Sequence, residues 1–183
     1  MEERTAKTTV KRIVIIGPES TGKTTLSKQL AHEYKTVWIP EYARTYVEQL
    51  GRPYHYEDVL HIAEKQVDLD VHYESLANGF LFLDTDLIIT KIWLLWVYNE
   101  CPAWIDHYLS EKKTDLYLLC NTDIPWVPDP VRENPGEMRE KLFKTYKKEI
   151  ESLGYPCRMV SGTGETRFKS AMDALKDLNL LHP

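Results

Sequence analysis

The stretch Gly17-Pro18-Glu19-Ser20-Thr21-Gly22-Lys23-Thr24 decides the interpretation of this chain. It fits the pattern G-x-x-x-x-G-K-[ST] at every fixed position. The apolar run Arg12–Ile16 precedes it, and the helix-prone stretch 23–34 follows it. A strand, a glycine-rich turn and a helix in that order let backbone N–H groups and the positive helix end surround a phosphate. The segment is therefore predicted to be a phosphate-binding loop, or P-loop.

The loop residues have distinct expected contributions. Lys23 supplies a full positive charge, and the hydroxyl of Thr24 is suited to Mg²⁺. The nucleotide-binding residues are predicted to be Gly17, Glu19, Ser20, Thr21, Gly22, Lys23, Thr24 and Thr25. The competing interpretation is an ordinary turn that contains Gly, Lys and Thr. We expect ATP with Mg²⁺, although the sequence does not decide between ATP and GTP.

Composition sets the class of protein. The chain has 183 residues, of which 43% are apolar and 28% charged, as is typical of a soluble globular domain. We expect a polar tail over 1–10 and a single domain over 11–183. A net charge of −5 argues against a nucleic-acid-binding surface. The apolar stretch 87–98 is shorter than the ~20 residues of a membrane span, and three widely spaced cysteines favour the reducing cytoplasm.

Apolar runs and amphipathic stretches alternate along the chain. Strands are predicted at 12–16, 36–39, 79–83, 116–120 and 157–160, with helices at 23–34, 55–77, 86–98, 137–152 and 165–178. Continuous apolar runs are typical of parallel strands that are covered on both faces. The sequence therefore predicts an α/β fold with a doubly wound parallel five-stranded sheet, of the P-loop NTPase or kinase type. Ligands of such folds bind at the carboxyl edge of the sheet.

Charged residues follow the second predicted strand. Glu41 would face the phosphates and could accept the proton of an acceptor hydroxyl, while Arg44 could hold a phosphate. Alternatively, Glu41 lies in the first turn of a helix with Arg44 as its i+3 partner. Spacing alone leaves the two interpretations equal.

Two acids follow the third predicted strand. Asp84 occupies the position of a magnesium-binding acid, and Asp86 could reach a substrate hydroxyl. The alternative is that Asp84 or Thr85 caps the helix that begins near residue 86. The sequence leaves open which of Glu41, Asp84 and Asp86 is the base.

The segment 121–139 contains four prolines and a glycine, which exclude regular structure over most of it. A loop of this length is predicted to be a functional lid. Trp126 would pack on a planar ring or on the core, and Arg132 or Arg139 could cover the transferring phosphoryl group. A salt-bridged surface loop is the alternative.

Four motifs in this order resemble the ribosylnicotinamide kinase domain of NadR-type regulators of NAD biosynthesis. They are the P-loop, Pro40-Glu41-Tyr42-Ala43-Arg44, Phe82-Leu83-Asp84-Thr85-Asp86, and Asp123-Ile124-Pro125-Trp126-Val127-Pro128-Asp129 with Arg132 and Asn134. The resemblance covers about residues 11–180. It implies that ATP phosphorylates the 5′-hydroxyl of nicotinamide riboside to give nicotinamide mononucleotide and ADP.

The resemblance also implies residue roles. Glu41 would be the base, and Asp84 and Asp86 would serve the magnesium and the ribose. Trp126, with Tyr42, would sandwich the pyridinium ring, and Arg132 and Arg139 would belong to the lid. About ten residues precede the first predicted strand, so neither the DNA-binding nor the adenylyltransferase activity of the larger regulators is implied.

Two functions of different classes remain after the sequence analysis. The first is a phosphotransferase that acts on a small nucleoside, with no nucleic-acid or membrane partner and an undetermined oligomeric state. The second is a nucleotide-binding sensor or regulatory P-loop ATPase without kinase activity. A regulatory GTPase is disfavoured because Asn121-Thr122-Asp123 lacks the lysine and the spacing of an N-K-x-D motif.

Overall fold

The computed structural model describes residues 9–177, so the predicted tail residues 1–8 and the stretch 178–183 lie outside the described residues. The strands are β1 (Lys11–Ile16), β2 (Trp38–Ile39), β3 (Phe80–Asp84), β4 (Leu116–Cys120) and β5 (Cys157–Val160). The helices are α1 (Lys23–Glu33), α2 (Tyr42–Leu50), α3 (Tyr56–Glu74), α4 (Leu87–Tyr98), α5 (Ala103–Glu111), α6 (Glu137–Ser152) and α7 (Glu165–Asp177).

The five strands form one parallel sheet in the order β2-β3-β1-β4-β5, which confirms the predicted fold class. Strand β1 lies at the centre, where Ile15 pairs with Asp84 of β3 and Ile16 with Leu119 of β4. The chain order reverses on either side of β1, and the loop after β1 therefore opens at the switch point of the sheet.

Apolar side chains cover both faces of the sheet. On one face, Leu26 and Leu30 of α1 and Leu175 of α7 pack with alternate residues of β1, β3 and β4. On the other face, α3 to α6 bury a larger cluster that includes Val14 and Tyr117. This double coverage is why the central strands read as continuous apolar runs instead of alternating ones. Within residues 9–177, none of the helices combines the length and hydropathy needed to cross a bilayer.

Candidate active site

The turn between β1 and α1 is wound tightly against the end of β4. A Cβ atom added to Gly17 would lie 2.9 Å from the carbonyl oxygen of Cys120. Gly22 has a φ of +77° and precedes the first residue of α1 in the left-handed conformation. The two glycines thus serve different needs, because Gly17 permits close backbone approach and Gly22 permits the left-handed turn.

Substituting Gly17 by Ala should push the loop away from β4 and weaken both the fold and triphosphate binding. Overpacking of this kind costs about 1–3 kcal/mol. Thermal unfolding and calorimetric titration with an ATP analogue measure the two effects. Gly154→Ala is the control, because Gly154 also has a positive φ (+73°) but meets open space. Wild-type ATP affinity in Gly17→Ala would contradict the steric argument.

Two side chains of the loop are directed to its own backbone. Lys23 Nζ donates to the carbonyl oxygen of Pro18 at 3.0 Å, and buried Thr21 Oγ1 donates to the same oxygen at 2.8 Å. Lys23 borders an adjoining cavity, so its flexible side chain has a path from this carbonyl to a phosphate. Thr21 stabilises the loop through its side chain, which leaves its backbone N–H as the group suited to a nucleotide.

Asp84 and Thr24 meet across the sheet edge and form the part of the site suited to a cation. Thr24 Oγ1 donates to Asp84 Oδ2 at 2.5 Å. Within residues 9–177, the buried Asp84 Oδ1 has no hydrogen-bond partner, and burial raises the pKa of this carboxyl against the opposing charge of Lys23. An acceptor oxygen left over in a dry site fits a hard cation. No cluster of three His, Cys, Asp or Glu occurs in that same range, but Mg²⁺ commonly takes only one or two protein oxygens beside phosphate and water.

Glu41 precedes α2 and lies on the wall of the cavity. Its carboxylate makes no capping hydrogen bond to α2 within the described chain. Arg44 pairs instead with Asp129 at 2.6 Å and Glu48 at 2.9 Å, so the predicted i+3 pair is replaced by other partners. Burial raises the pKa of Glu41, while Lys23 opposes the rise and Asp84 reinforces it. A half-buried carboxyl with a raised pKa beside a phosphate-binding loop has the properties of a proton acceptor.

The segment 121–136, called the lid here, lies over the P-loop. Arg132 lines the cavity, donates to the carbonyl oxygen of Val127 at 2.5 Å and lies 3.5 Å from Asp129. Asp129 therefore sits between two guanidinium groups that face the cavity, those of Arg44 and Arg132. Both arginines border the same cavity as Lys23 and can contact an anionic ligand there.

Arg139 occupies a different place from the one predicted. Its buried guanidinium donates to the carbonyl oxygens of Glu19 at 3.0 Å, Ser20 at 2.8 Å and Thr122 at 3.2 Å. Three carbonyl oxygens satisfy this group, and Arg139 does not border the cavity formed by the described residues. Arg139 therefore supports the backbone of the P-loop, and of the two arginines considered for the transferring phosphoryl group, Arg132 lines the cavity.

The prediction for Asp86 is also corrected, because both of its carboxylate oxygens already accept hydrogen bonds from the protein. Its Oδ1 accepts from the backbone N–H of Ile88 at 3.0 Å, and its Oδ2 accepts from the hydroxyl of Tyr117 at 2.6 Å. Asp86 is therefore the N-cap residue of α4, a role that the capping alternative gave to Asp84 or Thr85. The first turn of α4 needs an acceptor, and β4 supplies a second donor. The predicted contact with a substrate hydroxyl has no support from this position.

The two residues predicted to sandwich a ring are likewise outside the cavity wall formed by residues 9–177. The ring of Tyr42 packs against Tyr46 at 5.9 Å, and its backbone N–H donates to Gln66 at 3.0 Å. Trp126 is half-buried in the lid. These placements depend on α2 and on the path of the lid, which composition does not reveal.

Other aromatic side chains line the cavity instead. Tyr54, Trp93, Trp96 and Tyr146 line the end of the cavity beyond the P-loop. Tyr54 meets Trp93 edge-on with ring centroids 4.7 Å apart, and its hydroxyl donates to Glu133 at 3.0 Å. The sequence analysis assigned α4 to the core and missed both tryptophans. Their i, i+3 spacing, just after the strand that ends in Asp84, is the signal that could have found them.

One cavity of about 330 Å³ joins these parts. The P-loop and Lys23 form its polar end, the aromatic side chains form its apolar end, and Glu41 lies on the same wall. Small-molecule sites typically have this size and this combination of apolar walls with a few polar groups. The arrangement can hold a polyphosphate and a ring-bearing acceptor in one space.

Comparisons with known proteins agree with the motif resemblance. The trifunctional NAD biosynthesis/regulator protein NadR of Salmonella typhimurium is 29% identical over 142 residues, which cover 74% of this chain and 34% of the relative. NadR of Escherichia coli K12 matches with the same identity and the same coverage, 74% of this chain and 34% of the relative. This chain therefore spans about a third of the length (34%) of the curated relatives it matches.

Solved structures give the same picture of the fold. NadR in complex with NR has a TM-score of 0.78 at 24% identity and covers 92% of this chain and 50% of that one. NadR in complex with NAD and AMP-PNP has a TM-score of 0.77 at 23% identity, covering 95% and 51%. A deoxyadenosine kinase from M. mycoides has a TM-score of 0.63 at 15% identity, covering 91% and 99%. The fold is thus that of the P-loop kinases.

A family match extends over most of the chain. Residues 12–167 match the AAA domain family, from the central strand β1 through the P-loop and the lid to the first turn of α7. The match includes every residue that lines the cavity. On this evidence, the chain belongs to the AAA domain family.

Proposed function

We propose that this protein is an ATP-dependent kinase that phosphorylates the 5′-hydroxyl of nicotinamide riboside, giving nicotinamide mononucleotide and ADP. One observation carries the proposal: the P-loop and an aromatic pocket are two ends of one cavity, with Glu41 on its wall. The names of its relatives add support, since NadR has been crystallised with NR and with AMP-PNP.

The triphosphate would bind at the polar end. The N–H groups of the P-loop and Lys23 would hold the β- and γ-phosphates. Thr24 and Asp84 would hold Mg²⁺, which when bound neutralises charge on the phosphate oxygens. Arg44 and Arg132 would leave Asp129 and stabilise the negative charge of the transferring group.

The acceptor hydroxyl would be oriented by Glu41. The 5′-oxygen forms a bond to the γ-phosphorus, the bond from that phosphorus to the bridging oxygen breaks, and ADP leaves. The hydroxyl proton passes to the Glu41 carboxylate. Phosphoryl transfer depends mainly on positioning and electrostatics, so these few groups suffice.

The aromatic end would receive the nicotinamide ring. Trp93, Trp96 and Tyr54 line this end, and the π-face of an aromatic ring attracts a cationic pyridinium ring. Glu133, which accepts a hydrogen bond from Tyr54, adds a negative charge at this end. Nicotinic acid riboside carries an extra carboxylate on its ring, so Glu133 would repel it.

A coupled ADP-release assay across nicotinamide riboside, nicotinic acid riboside and common nucleosides tests the function, with the product identified by mass spectrometry. We expect nicotinamide riboside to be preferred, and Glu133→Gln to reduce the preference over nicotinic acid riboside by about two- to fivefold. ATP binding without a phosphorylated product from any acceptor would instead favour the nucleotide sensor.

The cellular compartment and the domain organisation are part of the same proposal. Cys101, Cys120 and Cys157 are free thiols in the structure, which suits the reducing cytoplasm. Residues 11–183 would act as a single kinase domain, with ATP and a nucleoside as its small-molecule partners.

A further inference from the structure

Glu19 is an unusual residue for a phosphate-binding loop. It lies within the P-loop and borders the cavity, where its negative charge would repel a triphosphate. Its carboxylate accepts three hydrogen bonds from the lid: from Glu133 N at 3.1 Å, from Asn134 N at 3.0 Å and from Asn134 Nδ2 at 2.9 Å. The side chain is therefore engaged with the lid, although the sequence analysis counted Glu19 among the nucleotide-binding residues.

The same part of the P-loop has further ties to the lid. Ser20 Oγ accepts from the backbone N–H of Val127 at 3.1 Å. The carbonyl oxygens of Glu19 and Ser20 accept from Arg139, just after the lid. These contacts join one dipeptide of the P-loop to the middle of the lid and to the start of α6. The Glu19 carboxylate and the Arg139 guanidinium are the charged groups among them.

Two hydrogen bonds hold Arg132 in place, one at the backbone that follows it and one at its guanidinium group. The peptide bond that follows Arg132 has its N–H held by Glu19, and the guanidinium is held by the carbonyl oxygen of Val127. Charge-assisted hydrogen bonds are about twice as strong as neutral ones, and Glu19 is the charged group that holds the backbone directly after Arg132.

We propose that Glu19 is a positioning residue, which fixes the lid on the P-loop and holds Arg132 over the cavity. This role rests on the proposed kinase function, in which Arg132 stabilises the transferring group. Glu19 acts through Arg132 and makes no favourable contact of its own with the nucleotide.

Limited proteolysis with trypsin tests the anchor without any assay of activity. Trypsin cleaves after Arg132, at the peptide bond whose N–H Glu19 holds. Glu19→Gln keeps the shape of the side chain but offers one carbonyl oxygen in place of two and turns an NH₂ group toward a donor. We expect cleavage at this bond, followed by mass spectrometry, to accelerate about tenfold. Glu33→Gln, the same change on the exposed surface of α1, is the control and should match the wild type.

Steady-state kinetics and a double-mutant cycle test the link to Arg132. Glu19→Gln should lower kcat about tenfold, while the Kd for an ATP analogue stays equal or falls, because a repulsive charge is removed. In an Arg132→Ala background, Glu19→Gln should cause no further loss of kcat. A merely structural role would weaken ATP binding and add its loss to that of Arg132→Ala.

Unchanged cleavage after Arg132, weaker ATP binding or additive losses in kcat would each overturn the role of Glu19. If the wild-type protein transfers no phosphate to any acceptor, the proposed function fails. The proteolysis and the ATP titration then still decide whether Glu19 anchors the lid.

Discussion

Replacing Lys23 by alanine is expected to abolish phosphoryl transfer, with kcat lower by at least about 10³-fold. Lys23 is the cation at the start of α1, and its charge opposes the raised pKa of both Glu41 and Asp84. Its loss would remove a donor to the phosphates and leave two buried carboxyls less compensated. A coupled ADP-release assay at saturating ATP and acceptor measures the effect.

Lys28→Ala on the same helix is the matched control for Lys23→Ala. Lys28 is exposed, lies over the ring of Trp38 at 5.3 Å and does not border the cavity within the described chain. Its removal should leave kcat within about twofold of the wild type, as is typical of surface substitutions. Transfer by Lys23→Ala within tenfold of the wild type would show that the loop does not bind the phosphates as proposed.

The strands could be predicted from the sequence because the central ones are buried on both faces, whereas their order in the sheet was not predicted. Strand β4 was predicted to the residue, and β3 was displaced by one. Helix α5 was not predicted, and α2 was considered only as the alternative interpretation of Glu41 and Arg44. Both are nine residues long, and helices of that length depend on tertiary contacts more than on their own propensity.

The predicted site residues likewise divide into those that the strand pattern places and those that depend on a partner distant in sequence. Glu41 and Asp84 end or follow parallel strands, so topology alone brings both to the sheet edge with the P-loop. Asp86 lies two residues beyond Asp84, and only the hydroxyl of Tyr117, contributed by a distant strand, shows that this acid is already engaged. The sequence around Asp86 does not reveal that the hydroxyl of Tyr117 is its hydrogen-bond partner.

The aromatic residues that line the cavity could not be predicted from the sequence, for a related reason. Tyr54 belongs to the connection between α2 and α3, whereas Trp93 belongs to α4, and their rings meet only in the folded chain. The rotation of α4 decides which of its apolar residues face the core and which face the cavity. Apolar periodicity does not show whether an apolar residue of a helix contacts other side chains or a bound ligand.

Replacing Glu41 by glutamine is expected to reduce kcat by about 10²–10⁴-fold, the usual contribution of a general base. Burial raises the pKa of Glu41, so the wild-type activity should fall as the pH drops through a value above that of an ordinary glutamate. Glu41→Gln should lack this acid limb. The pH dependence of kcat/KM measures it, and Glu57→Gln, at an exposed position on α3, is the matched control.

The same substitution should make the protein more stable, which separates a site residue from a structural one. An acid whose pKa is higher in the folded than in the unfolded state binds its proton more tightly when folded. Folding stability therefore falls as the pH rises through the unfolded and then the folded pKa, and the whole cost is present once the pH exceeds both. Glu41→Gln removes this buried charge, so above the raised pKa its Tm should exceed that of the wild type. A lower Tm together with lost activity would mean that Glu41 supports the fold, and the assignment of the base would then fail.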